Sequence, residues 1–231
     1  MKTLEIEIDK AEALRYAGHR HGPLTEPLQR LLDDCCEKTH ALARPRMVFR
    51  VFSIADHSPV RLAGTDLVLE GGDAEVLLKQ SKACVLMAVT IGNGVEPAIR
   101  SAQVTDMTRA LFLDACASAA VESVCEAGER ALRKQLGGPP PFFTRRYSPG
   151  YGDLPLTLQR PLLQLLDAGR KIGLSVSESG LLTPRKSVTA IIGLNDAGEE
   201  AGESGCASCG SRETCLYRKE GTSCEQISDK A

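Results

Sequence analysis

The sequence predicts an α+β fold, with a central antiparallel or mixed sheet and flanking helices. Three observations predict it. "KACVLMAVTIG" is a nearly continuous apolar run, the mark of a strand covered on both faces. "RPRMVFRVFSIA" alternates apolar and polar residues, the mark of a strand with one face covered. Helical and extended segments are interspersed without the regular alternation that a parallel α/β sheet requires.

In chain order, "KAEALRYAGHRHG" predicts a short helix that stops near Gly18, and "TEPLQRLLDDCCEKTHAL" a longer one. In the second, Thr25 stands at the N-cap position and Pro27 in the first turn, with Leu28, Leu31, Leu32 and Cys35 on one face. After the alternating strand, "VRLAGTDLVL" predicts two extended pieces around a turn, and "GGDAEVLLKQS" a helix. "VTIGNGVEPAIRSA" is a strand, turn and helix. Gly92 and Gly94 there suit a tight turn better than an anion cradle, because no dinucleotide fingerprint or phosphate-loop lysine accompanies them.

The strongest helical pattern runs from Asp106 to Leu136, as one helix or two. Asp114, Ser118 and Glu122 recur every four residues and so share a face, within the small-residue stretch "DACASAAVE". That stripe reads either as a solvated polar face or as a surface a ligand can approach closely.

"RRYSPGYGDLPL", residues 145–156, cannot be helix and makes a poor strand; such loops turn the chain or grip a ligand. "TLQRPLLQLLDAGRKIG" predicts one helix of at most about four turns. "GLSVSESGLLTPRKSVTAIIGL" predicts a short extended piece, a turn at Pro184 and a final strand. These elements make a domain over residues 1–195. Residues 196–205 form an acidic flexible linker, and 206–231 a cysteine-rich tail.

Twenty-eight basic residues against 30 acidic ones give no electrostatic basis for binding nucleic acid. No segment approaches the roughly 20 apolar residues that span a bilayer. The N-terminus lacks the apolar core of a signal peptide, so a cytoplasmic protein is expected. Cys35, Cys36, Cys84, Cys116 and Cys125 lie in apolar segments and read as small buried hydrophobes. Cys206, Cys209, Cys215 and Cys224 are spaced C-x2-C-x5-C-x8-C. The first pair has metal-ligand spacing, while the remaining gaps fit neither a paired zinc-knuckle pattern nor a ferredoxin run; four thiolates there could hold an iron–sulfur cluster or zinc, or stay redox-labile free thiols. His19 and His21 sit at a helix end, and His40 and His57 have no partner at metal spacing.

Taken together, "DACASAAVE", "RRYSPGYGDLPL" and "SESGLLTPRKSVTAIIGL" resemble, in order and spacing, the activation domain of cobalamin-dependent methionine synthase. "EALRYAGHRHG" and "LMAVTIGNGVEPAIRSA" are similar to the stand-alone proteins that consist of that domain, so the resemblance covers about residues 10–195. It implies a protein that binds S-adenosylmethionine. Such a protein supports reductive remethylation of the cobalamin of a partner methionine synthase lacking its own activation domain, or of a related corrinoid methyltransferase. The electron would come from a flavodoxin or ferredoxin. Methyl transfer from a sulfonium to Co(I) needs no proton transfer, so no catalytic acid or base is expected; the protein supplies orientation.

By position in the motif arginine-x-small-x-Gly-Tyr, Arg146 is the expected partner of the ligand carboxylate. Backbone groups at Ser148 and Gly150 would meet the amino-acid portion or the adenosine, and Tyr151 would offer an apolar face. Asp114 or Glu122 would accept from the ligand ammonium. A glutamate of the full-length enzyme's helix aligns with Ser118, one turn before Glu122, so the choice between the acidic residues stays open. Two other classes remain beside this reading: an iron–sulfur or zinc redox protein built on the tail, and a non-catalytic adaptor for a corrinoid protein.

Overall fold

The structure is a computed structural model that describes residues 4–19, 22–136, 142–195 and 213. Its elements are α1 (Lys10–Tyr16), α2 (Glu26–Leu42), β1 (Arg46–His57), β2 (Val60–Leu62), β3 (Val68–Leu69), α3 (Gly72–Leu78), β4 (Ala83–Thr90) and α4 (Val95–Thr105). Then follow α5 (Met107–Leu136), β5 (Phe142–Phe143), a 3-10 turn (Leu156–Leu158), α6 (Gln159–Leu166), α7 (Ala168–Ile172), β6 (Ser175–Val176), β7 (Leu182–Thr183) and β8 (Ser187–Asn195).

Six strands form one sheet in the order β3-β2-β1-β4-β8-β5, and β6 pairs with β7 apart from it. The pairs β1–β2, β2–β3 and β5–β8 are antiparallel. The flanking hydrogen bonds extend that pattern to the centre. Ile54 N donates to Lys82 O while Arg44 N donates to Ile91 O, so β1 and β4 run in opposite directions. Lys82 N reaches Leu194 O and Ile91 N reaches Lys186 O, which orients β8 against β4 in the same way. The sheet is antiparallel throughout, the first of the two arrangements the sequence allows. Residues 84–90 of β4 are all buried, as the unbroken apolar run requires.

The chain divides into two compact units. One takes in residues up to Val48, Ala88–Lys134 and Asp167–Val188; the other takes in Phe49–Met87, Gln135–Leu166 and residues from Thr189 onward. In the first, Leu32 and Cys35 of α2, Val95 of α4, and Leu113, Cys116, Ala117 and Val124 of α5 are core residues. In the second, Leu62, Leu69, Leu78, Leu86, Leu154, Leu162 and Ile191 are.

Local signals set most boundaries. The Asp9 side chain caps α1, accepting from Ala11 N at 2.7 Å and Glu12 N at 3.2 Å, and Gly18 turns the chain out at φ 78°. Thr25 occupies the N-cap of α2, yet its hydroxyl makes no capping bond; the early proline removes one of the donors that would need it. From Met107 onward α5 is one uninterrupted helix, and Asp106 separates it from α4, its carboxylate accepting from Arg109 N at 3.0 Å.

One element differs from expectation. The single helix predicted over 157–173 falls within a 3-10 turn, α6 and α7, broken at Asp167 in the left-handed conformation (φ 54°). Aspartate is one of the few non-glycine residues that tolerates that region, and Arg170 holds its carboxylate at 2.7 Å. Leu166 and Ala168, on either side of the break, are both fully buried. Helical periodicity alone places no such break.

Candidate functional site: the Arg146–Tyr151 loop

The loop after β5 belongs to the second unit and is ordered by a small set of hydrogen bonds. Tyr147 pairs with Ile191 of β8 through both backbone groups, N to O at 3.0 Å and O from N at 2.8 Å. Beyond it the chain folds on itself: Tyr151 N donates to Ser148 O (3.1 Å), Gly150 N to Leu154 O (2.8 Å), and Leu154 N to Tyr151 O (3.0 Å). Gly150 and Gly152 take φ of 95° and 51°, which the glycine-rich composition of the segment serves. Leu154 is 1% exposed and anchors the far end in the core.

Two aspartates clasp this loop to the start of α3. Asp153 accepts from Gly72 N at 2.7 Å and from Asp73 N at 3.2 Å, so it acts as the N-cap that Gly71 lacks a side chain to provide. In return Asp73 accepts from the Tyr147 hydroxyl at 2.6 Å, and that hydroxyl also lies 3.1 Å from Tyr151 O. Burial, and then the hydrogen bond to Asp73, pushes the Tyr147 phenol up to about 12. The clasp leaves no room at Gly152: a Cβ there would lie 2.0 Å from Asp73 Oδ2 and 2.1 Å from the Tyr147 hydroxyl. Pairing of the loop with the "GGDA" turn carried no sequence signal, because 80 residues separate the partners.

On this frame, Arg146 and Ser148 are half-buried, and Arg146 Nη1 is shielded from solvent. Gly150 is exposed, and Tyr151 stands 68% exposed. The loop therefore presents an arginine, glycine backbone and an aromatic face from a fixed conformation.

The α5 residues lie in the first unit and make a different cluster. Lys186 Nζ lies 2.9 Å from Asp114 Oδ1, 3.1 Å from Asp114 O and 2.9 Å from Ser118 Oγ. Three acceptors match the three N–H bonds of an ammonium group. Ser118 Oγ in turn donates to Asp114 O at 3.0 Å. Asp114 and Ser118 thus already serve a cation of the chain itself. Lys186 lies in the "PRKSV" segment, and sequence reasoning gave it no role; two polar residues on one helix face in need of a cation were the available signal. Glu122, one turn further on, is half-buried, and its charge adds to the burial that raises the Tyr16 phenol.

Gly92 and Gly94 serve packing. Gly92 takes φ 78°, and a Cβ on Gly94 would lie 2.5 Å from Leu42 O, so the turn lets α2 and α4 come together. His19 Nε2 lies 2.9 Å from Gly22 O and His57 Nε2 2.9 Å from Ser81 O, both backbone partners. Among the described residues no group of three or more His, Cys, Asp or Glu could hold a metal. The linker 196–205 and Cys206, Cys209, Cys215 and Cys224 lie outside the described residues. Among the described residues no helix is long and apolar enough to cross a membrane.

No family model and no curated protein matches the chain. Among solved structures, the MetH reactivation domain bound to AdoHcy is similar to it. The TM-score is 0.60 at 17% sequence identity, covering 95% of this chain and 83% of that one. The α+β architecture, an antiparallel sheet with flanking helices, is accordingly that of the MetH reactivation domain fold.

Proposed function

We propose that this protein binds S-adenosylmethionine at the Arg146–Tyr151 loop and supports reductive remethylation of the cobalamin of a partner. That partner is a methionine synthase lacking its own activation domain, or a related corrinoid methyltransferase. The observation that carries the reading is the clasped loop itself. A segment of glycine and proline is held by Asp73 and Asp153 so that Arg146 is half-buried rather than trailing in solvent. The likeness in fold to a domain bound to AdoHcy, the demethylated form of S-adenosylmethionine, supports it.

The residues present fit the ligand. A guanidinium fork suits a carboxylate bidentately. The positive φ at Gly150 is a backbone position where a ligand can approach without meeting a Cβ. Tyr151 offers an aromatic face to adenine or to a corrin ring. When bound, S-adenosylmethionine supplies an electrophilic methyl group on sulfur. The chain's own task is to hold the amino-acid end and aim the sulfonium, which is where the rate of such a displacement comes from. The electron comes from a flavodoxin- or ferredoxin-type donor.

The test is calorimetric titration with S-adenosylmethionine. Arg146→Ala should weaken binding roughly 10- to 100-fold, the worth of a hydrogen-bonded charge pair, with the circular dichroism spectrum unchanged. Unchanged affinity in that variant rejects the ligand assignment. The transfer step is tested separately by anaerobic incubation with a Co(II) corrinoid protein, a reductant and methyl-labelled S-adenosylmethionine. Label must appear on cobalt only when this chain is present.

A further inference from the structure

The cysteines of α2 and α5 include a pair that core packing alone does not explain. Cys36 Sγ and Cys116 Sγ lie 3.5 Å apart, within hydrogen-bonding distance, although 80 residues separate them in the chain. Cys116 is fully buried and Cys36 half-buried, so Cys36 is the more exposed member of the pair. Cys36 lies one turn from Asp33 on α2, and Asp33 holds the Lys10 ammonium at 2.8 Å, so an ion pair with both signs of charge stands near the pair. The neighbouring Cys35 is turned elsewhere, its thiol 3.8 Å from Arg109 O.

The surroundings divide these thiols by reactivity. Burial pushes Cys35 up to about 11 and Cys84 up to about 12, the state of an inert structural thiol. The hydrogen bond shared with Cys116 draws Cys36 down, with the Lys10 charge and against burial and the Asp33 carboxylate, while Cys116 moves up by the same bond and by burial. A nucleophile and a resolving thiol are thereby set side by side.

We propose that Cys36 and Cys116 form a reversible dithiol–disulfide couple, with Cys36 as the peroxide-reactive thiolate and Cys116 as the resolving thiol. The Cys36 thiolate attacks a hydroperoxide, forming an S–O bond and breaking the O–O bond. The released oxygen takes up a proton and leaves as water or an alcohol, and Cys36 becomes a sulfenic acid. Cys116 Sγ then attacks the Cys36 sulfur; the S–S bond forms, the S–O bond breaks, and hydroxide departs as water with the Cys116 proton. The thiol pair gives up two electrons and one peroxide is reduced. From 3.5 Å to a bonded 2.05 Å the sulfurs close by roughly 1.5 Å. Exchange with an external dithiol restores the pair. Cys116 lies two residues from both Asp114 and Ser118, so the crosslink ties the stretch of α5 that holds Lys186 to α2.

The test uses the full chain, reduced and anaerobic, exposed to an equimolar amount of hydrogen peroxide, then alkylated, digested and mapped by mass spectrometry. The expected product is a peptide carrying Cys36 linked to the peptide carrying Cys116, lost after dithiothreitol. Cys35 and Cys36 share a peptide, so Cys35→Ser is mapped in parallel and must keep the link. In Cys116→Ser the link disappears, and a cyclic dione probe captures a sulfenic acid on Cys36. In the untreated protein Cys36 should alkylate about tenfold or more faster than Cys116. Recovery of both peptides in alkylated form after peroxide overturns the proposal. So does linkage of Cys36 chiefly to a cysteine of residues 206–231. Because mapping the unsubstituted chain gives the first answer, a variant that fails to fold does not shield the idea.

Discussion

Asp153→Ala tests whether the candidate loop is held from a distance. Asp153 receives two backbone N–H groups at the start of α3, Gly72 at 2.7 Å and Asp73 at 3.2 Å, and stands in for the side chain that Gly71 lacks. Losing an N-cap to alanine costs about 1 kcal/mol, and losing a negative charge at a helix N-terminus costs about 0.3–1 kcal/mol more. The sum is roughly 1.3–2 kcal/mol, which for a chain of this size lowers Tm by about 3–8 °C. Asp153→Asn keeps one acceptor oxygen for the cap and loses the charge and the second oxygen, so it should cost less than alanine, about 0.3–1 kcal/mol. Guanidinium unfolding of the three proteins, each also titrated with S-adenosylmethionine, measures both effects. A surface control is Glu126→Ala, whose partner Arg130 lies 3.8 Å away; it should shift stability by less than about 0.5 kcal/mol. The reasoning is refuted if Asp153→Ala matches the unsubstituted chain, or if the asparagine variant is as damaged as the alanine one.

Two further outcomes are expected. The Tyr147 phenol, raised to about 12 against an ordinary value near 10, contributes stability that is complete below about pH 10 and is lost as pH rises toward 12. Tyr147→Phe should be less stable at neutral pH and should lack that alkaline loss. Urea unfolding across the alkaline range, read beside phenolate absorbance, checks both. Lys186→Met strips Asp114 and Ser118 of their cation and should destabilise the protein by about 1–3 kcal/mol; a change under about 0.5 kcal/mol in chemical unfolding would show that the cluster is ornamental.

Much of the fold was legible because its signals are local. The buried strand β4, the short α1 that stops near Gly18, the long α5 and the glycine-rich loop are each marked by local signals. The break at Asp167 was not legible, because a left-handed aspartate leaves no mark in an apolar periodicity that continues through it. In the candidate site, Arg146, Gly150 and Tyr151 stood out by composition and by resemblance. In the separate α5 cluster Lys186 did not stand out, since a single lysine after a proline and an arginine looks like any solvated charge until it is seen 2.9 Å from Asp114 and Ser118.

By itself the sequence determined most of the helices, strands and turns, the break at Asp167 excepted, because apolar periodicity and glycine placement act over a few residues. It also determined that the loop at 145–156 needs something outside itself to be ordered. Tertiary structure alone decided what that something is: the Asp73–Asp153 clasp, made across some 80 residues. The same holds for the meeting of Lys186 with α5 and for the 3.5 Å approach of Cys36 to Cys116. Long-range hydrogen bonds and thiol contacts depend on how packed elements converge, and no local pattern encodes that convergence.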